Sequence, residues 1–448
     1  MINLDRLIDP RTGIITASEA QPSSAGDPRF WRSHGATVAH TERFAPWRAD
    51  GFGFGASFGN LEAARGAALG EAAERYCGNA VPAGLPFLSW NDLAERGDDA
   101  LDPDALALYA TWQYELSGFP FAHFDRDLPV SWARGRDLCT KEPVWVPASL
   151  VYLDGAAARR PDERPTHSLM YSGIAAGTDR EHAETGALDE LMERDATTIW
   201  WASGSSTVEL DDSGVVAGMM GANDLDIRLL QIPTDLPGHV IAAVIEDGDP
   251  TRDGLLAFGS ACRTDPVAAA RKAVMEALGL RRVTLQLLDP NSDVWRAVKT
   301  DAIDAHVFLP YRADRRYGDD IPDDFRTLAD LPSIAQLYLD QRMATAILPR
   351  LRPTERQPLT ALNPIAGDRI AELAARGIRV VSIDVTTDDI RACGLTVVRV
   401  IAAGLIGNGP PAFPLRGSDR YVDVPRTLGW NRQPASTRDL YPFPLPLA

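Results

Sequence analysis

Two stretches of the chain repeat one spacing of charged residues. Glu71, Glu74 and Arg75 form an E-x-x-E-R motif within Leu61–Gly78, and Glu190, Glu193 and Arg194 form a second within Ser172–Trp201. Residues three apart are neighbours on a helix, so each motif presents a carboxylate pair with a guanidinium beside it. Four carboxylates on two facing helices would make a cage of oxygens. Hard cations such as magnesium select such ligands and leave positions for substrate phosphates. Arg75 and Arg194 would then neutralise phosphate charge. The alternative is a solvated helix face with local ion pairs worth a few tenths of a kcal/mol. Two copies on otherwise Ala- and Leu-rich helices favour the metal site. The segment GFGFGAS (51–57) is no phosphate loop, because no G-K-[ST] closes it.

The apolar pattern says which elements must hold these residues. Ala183, Ala187, Leu188, Leu191, Met192 and Ala196 recur at helical spacing after the small-residue turn Gly173–Gly177. The first acidic helix follows GFGFG, with Asn60 as its expected cap. The glycines there read as a turn between strand edges or as a close approach to a ligand. A third helix is expected from Asp265-Pro266, with Val267, Ala270, Ala273, Val274, Ala277 and Leu278 on one face. Lys272 and Glu276 lie one turn apart on it and by themselves read as an ordinary helical ion pair. Strands are expected at Ile227–Ile232, Val240–Ile245, Leu255–Phe258, Arg379–Val385 and Leu395–Ile401, and a helix at Ile370–Ala375. VWVPASLV (144–151) reads as a strand interrupted by Pro147. Residues 84–130 read as short helices, and 311–330 as a charged, solvated insertion. The doubled motif raises an internal pseudo-symmetry without proving one.

Composition excludes several classes. The 448 residues are 45% hydrophobic and 24% charged, as in a folded globular chain. The net charge of -17 and the lack of a basic run argue against nucleic-acid binding. Cys77, Cys139, Cys262 and Cys393 are scattered without zinc spacing, so reduced thiols in a cytoplasmic protein are expected. No apolar stretch is long enough to span a bilayer, and no secretory signal opens the chain.

The motifs SGIAAG…ALDELMERDA and ALGEAAERYCG resemble the paired signature of the YcaO family. LIDPRTGII and VVRVIAAGL also fall where such proteins have similar segments. The resemblance runs from about Leu7 to the C-terminus and is weakest at 85–129 and 311–351. It implies an α/β (α+β) fold of YcaO type, with paired acidic helices packed on β-sheets. It also implies that ATP and Mg2+ bind between these helices, with Glu71, Glu74, Glu190 and Glu193 as metal ligands and Arg75 and Arg194 on the phosphates. The resemblance further implies that Lys272 and Glu276 belong to a third nucleotide-site motif. The chain departs from the family pattern at Ala67, at Ala56-Ser57-Phe58, at His182 in place of a glutamate and at Gly186 in place of a glutamine.

Family members with this signature activate a peptide amide by phosphorylating its oxygen. Those ending in Pro-x-Pro-x-Pro resemble the azoline-forming subgroup, and Pro442, Pro444 and Pro446 reproduce that pattern. The resemblance therefore implies a cyclodehydratase that closes Cys, Ser or Thr of a ribosomally made precursor peptide into thiazoline or oxazoline. Thioamide formation and a non-catalytic scaffold of a modification complex are the alternatives. The domain is expected over residues 1–425, followed by a Pro-rich tail at 426–448 that packs back toward the carboxylates. No leader-binding segment is recognisable, so a separate adenylating-enzyme-like partner is expected to deliver the peptide. A homodimer stays open.

Overall fold

Each of the three long helices begins where the sequence supplies a cap. In a computed structural model that describes residues 3–23, 26–153, 160, 162–212, 214–221, 225–247, 255–300, 303 and 305–447, these are α1 (Leu61–Asn79), α2 (Arg180–Ser203) and α3 (Pro266–Leu288). The side chain of Asn60 accepts the Ala63 N–H, Asp179 that of His182, and Asp265 that of Val267. Such caps contribute about 1 kcal/mol each. Gly204, at φ +75°, ends α2 in the left-handed conformation that glycine tolerates best.

The described strands form three sheets. The first is an antiparallel meander of β1 (Ile15–Gln21), β2 (Trp31–Val38) and β3 (Phe52–Phe58). The second is a mixed-length sheet in the order β4 (Phe87–Leu88), β5 (Val130–Asp137), β13 (Val380–Asp384), β14 (Thr396–Ala402) and β7 (Ile174–Gly177), with β6 (Pro143–Pro147) on the other side of β5. The third has the order β11 (Leu256–Arg263), β10 (His239–Asp247), β9 (Leu225–Ile232), β8 (Val208–Asp211) and β12 (Arg356–Pro358). Helix α1 packs on β3, α2 on β14 and β7, and α3 on β11 and β10. The largest core cluster joins α2, through Met192, Ile199, Trp200 and Trp201, to Leu230, Val244 and Phe258 of the third sheet and Val398 and Val400 of the second.

Glycine sets how closely two of these helices approach their strands. A Cβ at Gly55 of β3 would lie 2.1 Å from the Ala64 carbonyl oxygen of α1, and one at Gly259 of β11 would lie 2.2 Å from the Ala277 nitrogen of α3. GFGFG is thus neither a turn nor a ligand loop. It is a strand whose missing side chains let α1 lie directly on it. The same plan, three antiparallel strands and then a helix over a glycine-bearing last strand, recurs in β9–β11 and α3. The structural echo therefore pairs α1 with α3, whereas the repeated E-x-x-E-R pairs α1 with α2.

Most other expected elements form, with two further corrections. Residues 143–151 change type at Pro147, where β6 ends and a helical turn, Ala148–Val151, begins. The segment 311–330 is not a solvated insertion: Tyr317, Ile321, Phe325 and Leu328 are buried in the main core, while its arginines and aspartates pair at the surface. No described helix is long and apolar enough to cross a membrane.

Candidate active site

Strand β7 lies between the two acidic helices. A Cβ at Gly70 of α1 would be 3.9 Å from the Ala176 Cβ, and one at Gly186 of α2 would be 3.6 Å from the Ala175 Cβ. Small residues on both helices and on the strand bring the three together. Because β7 is an edge strand, paired only with β14, some of its backbone N–H groups are left for side chains. The Ala176 N–H donates to Glu74 Oε1 at 2.7 Å. Just before the strand, the Gly173 N–H donates to Glu190 Oε2 at 3.0 Å. One short segment therefore orients a carboxylate from each helix.

The remaining glutamates are held in the same manner. Glu71 accepts from the Phe54 N–H of β3 at 2.9 Å and from Arg75 Nη2 at 3.0 Å. Glu193, almost fully buried, accepts from Ser260 Oγ of β11 at 2.6 Å and pairs with Arg194 Nη1 at 3.1 Å. Arg194 also lies 3.7 Å from Glu190. Lys272 and Glu276 of α3 form an ion pair with each other, and Glu276 acts electrostatically on both Glu193 and Arg194. All three helices thus converge on one polar recess.

The recess holds uncompensated negative charge. Burial, together with the Glu71 and Glu190 carboxylates, pushes the Glu74 carboxyl up to about 8 against the Ala176 hydrogen bond. Burial, with Glu190 and Glu276 nearby, pushes Glu193 up to about 7. Burial would raise Glu276 too, but Lys272, Arg194 and Arg263 hold it below the usual range. Arg194 Nη1 is buried and makes no well-formed hydrogen bond. Carboxylates pressed together, beside a guanidinium nitrogen that makes no well-formed hydrogen bond, fit a site for a divalent cation together with an oxyanion. The cage is not closed, however. Among the described residues no group of three or more His, Cys, Asp or Glu side chains is gathered as a metal set, because each glutamate is tied to its own backbone or side-chain donor.

Several contributors were not read from the sequence. The donors Phe54, Gly173, Ala176 and Ser260 are backbone or hydroxyl groups with no spacing of their own. Arg399 of β14 is 2% exposed and donates to the carbonyls of Leu150, Met170 and Tyr171. Its signal was available, since it is the lone charge between Val398 and Val400. The Tyr171 ring lies 4.9 Å from the Arg75 guanidinium, so Arg399 fixes the loop that backs Arg75. Asp50 is pushed up by burial despite the Arg75 charge, and its Oδ2 is buried without a partner.

The tail lies elsewhere than expected. Pro444, Pro446 and Leu447 are buried and Pro442 is exposed; Ala448 is outside the described residues. Trp201 Nε1 donates to the Phe443 carbonyl at 2.7 Å, the Tyr441 N–H donates to the Ala202 carbonyl at 2.7 Å, and the Tyr338 hydroxyl donates to the Pro444 carbonyl. These contacts place the tail on the last turns of α2, about 12 Å of helix rise beyond Glu193. No described hydrogen bond or ion pair joins it to the four glutamates. Trp201 and Trp200 offer it an apolar seat, whereas the recess is charged.

Comparison with known proteins places the fold. A protein of Methanothermobacter thermautotrophicus with no assigned function is 27% identical over 225 residues, covering 48% of this chain and 53% of its own length. A heterocyclase solved in complex with substrate and cofactor superposes with a TM-score of 0.68 at 21% identity, over 99% of this chain and 56% of that one. YcaO from Methanopyrus kandleri, solved bound with AMPPCP and Mg2+, superposes with a TM-score of 0.52 at 18% identity, over 94% and 90% of the two chains. At these identities the structural likeness is one of fold. The chain spans about half the length of the first two relatives. Residues 53–406, which contain both E-x-x-E-R motifs and the third helix, match the model of the YcaO cyclodehydratases, described as ATP- and Mg2+-binding. The chain belongs to the YcaO family.

Proposed function

We propose that the chain is an ATP- and Mg2+-dependent peptide cyclodehydratase whose active site is the recess between α1, α2 and α3. The observation that carries this reading is the attachment of Glu74 and Glu190, from two helices, to the single segment Gly173–Ala176. Magnesium would be held by Glu71, Glu74, Glu190 and Glu193, and the phosphates by Arg75, Arg194 and Lys272, with Glu276 holding Lys272 in place. Bound there, ATP with magnesium supplies a phosphoryl group that turns a peptide amide oxygen into a leaving group as Cys, Ser or Thr closes on the carbonyl carbon.

The chain's own residues position and neutralise. Backbone N–H groups and Ser260 fix the carboxylate orientations in advance, which is where phosphoryl-transfer catalysts gain most. Arg194 faces two carboxylates, so an arriving anion shares it without a rearrangement of the backbone. The attacking nucleophile belongs to the peptide; Cys77 and Cys262 are buried with thiols pushed up by burial, which suits them to packing. The heterocyclase likeness supports azoline formation, and a partner chain is proposed to present the peptide. Calorimetric titration of the purified chain with ATP should show binding that requires Mg2+. Mass spectrometry of the peptide product identifies the reaction, since an azoline loses one water and a thioamide exchanges oxygen for sulfur. Unmodified peptide together with metal-independent ATP binding would overturn the reading.

A further inference from the structure

A fork in the second sheet opens a cavity lined mainly by charged residues, none of which belongs to the carboxylate recess. Along one edge β5 is paired by β4 at Val130 and Ser131 and by β13 at Arg136 and Asp137. Between these points no described strand pairs Arg134 or Gly135 on that edge; β6 pairs them on the other. A cavity of about 360 Å³ lies there, lined by Arg134, Gly135, Arg136, Arg180, Ser382 and Asp384. Arg136 and Ser382 are directly opposed in the ladder, so their side chains share one sheet face. Arg180 reaches the cavity from the first turn of α2, ten residues and about 15 Å of helix rise before Glu190.

The lining is cationic and not internally satisfied. Arg180 pairs with Asp384 at 3.0 Å and with Glu184 at 3.4 Å, and Arg136 lies 3.5 Å from the same Glu184. Arg391 also pairs with Asp384, at 3.1 Å. Arg134 has no described ion pair; its guanidinium lies 5.9 Å from the Trp145 ring. Three guanidiniums therefore line the cavity against one lining carboxylate, with Glu184 behind it. Ser382 is 1% exposed, and its Oγ is buried without a hydrogen-bond partner, as is Arg136 Nε. A buried hydroxyl left unpaired costs about 1–3 kcal/mol. Native folds rarely carry two such atoms at one cavity unless a further group completes them.

Guanidinium forks match the planar carboxylate and the tetrahedral phosphate, and the volume suits a small organic or inorganic anion. We propose that this fork is a second ligand site, for a small polyanion bearing carboxylate or phosphate groups, separate from the nucleotide recess. Arg134 and Arg136 would grip the anion, Arg180 would be shared between it and Asp384, and the Ser382 hydroxyl would donate to it.

The test is isothermal titration of the full chain, without Mg2+, with citrate in one arm and pyrophosphate in the other. The arm that saturates with one site identifies the ligand chemistry. Arg134 is exposed, so Arg134→Ala should fold normally, and it should weaken that binding at least about tenfold. Ser382→Ala should leave the ligand-free Tm unchanged or raised, because its hydroxyl bonds nothing there, while shrinking the Tm gain on adding the ligand. Glu190→Gln, in the other recess, should leave this binding intact whether or not it abolishes ATP binding. Saturation in neither arm overturns the proposal. So does binding that survives both Arg134→Ala and Ser382→Ala, or binding lost in Glu190→Gln.

Discussion

Glu74 of α1 accepts the backbone N–H of Ala176, 102 residues further along the chain, at 2.7 Å. That bond ties the first acidic helix to the strand that introduces the second. It also selects one oxygen of Glu74, so the other is the one available to a cation. The charge, rather than the shape, of the side chain is what the proposed metal site needs. Glu74→Gln and Glu190→Gln should each keep the fold and lower Mg2+-dependent ATP hydrolysis by at least about 100-fold, the usual scale for losing one preorganised electrostatic group. Steady-state hydrolysis alongside circular dichroism checks this. Wild-type turnover in both variants would remove the metal-cage reading.

The same carboxyl makes the metal-free protein sensitive to pH. Its folded pKa, about 8, lies above the ordinary glutamate value of ~4.3. Between those values the folded chain holds a proton that the unfolded chain has released, so stability falls as pH rises. The contribution is fully present below the unfolded pKa and is lost as pH passes through the folded one. Thermal melts without divalent metal should therefore show Tm declining from pH 5 to 8. Glu74→Gln should flatten part of that decline. A Tm that rises over this range, with no difference between variant and wild type, would contradict the burial of charge in the recess.

Asn60, Asp265-Pro266 and the two apolar helix faces were legible because caps and helical periodicity act within a few residues. The convergence of Glu71, Glu74, Glu190 and Glu193 was legible only as an inference from a repeated spacing. What holds them was not legible: the Ala176 and Gly173 N–H groups have no side-chain signature, and their availability depends on β7 being an edge strand. The segment 311–330 misled for the opposite reason. Its many Asp and Arg residues mask Tyr317, Ile321, Phe325 and Leu328, and spaced apolar anchors count for little in a charge tally although they decide burial. GFGFG misled because glycine's role there is what it omits, a Cβ that would strike α1.

His182 sits on the same face of α2 as Gly186 and Glu190, but two turns before Glu190, and it is exposed. Its Nδ1 lies 3.5 Å from the Thr178 nitrogen, too long to be a strong hydrogen bond. His182→Ala should therefore change stability by less than about 0.5 kcal/mol. The KM for ATP should stay within about twofold of wild type. A severalfold rise in that KM at unchanged Tm would instead show that the histidine reaches the nucleotide.

The tail offers the sharpest separation of structure from catalysis. A solvated proline-rich tail could be removed at Pro442–Ala448 without changing the thermal midpoint. The described contacts argue otherwise, because Pro444, Pro446 and Leu447 are buried and the Phe443 and Pro444 carbonyls accept from Trp201 and Tyr338. Burying one such leucine contributes about 2 kcal/mol and each hydrogen bond about 1 kcal/mol. Deletion should therefore lower Tm by at least a few degrees. Trp201 belongs to the helix that carries Glu190 and Glu193, so loosening the tail also loosens the end of that helix. Arg350 of the helix Gln341–Leu351 reinforces this junction: it donates to the Trp200 and Trp201 carbonyls and lies 4.4 Å from the Tyr441 ring. Trp201→Phe removes the N–H donated to Phe443 and keeps most of the ring. If the tail serves catalysis by steadying α2, Trp201→Phe and the deletion should lower kcat for peptide cyclisation together, with KM for peptide changed less. Both should be measured well below the deleted protein's Tm, with saturating peptide and partner. A lowered Tm with wild-type kcat in both variants would make the tail a structural clasp alone.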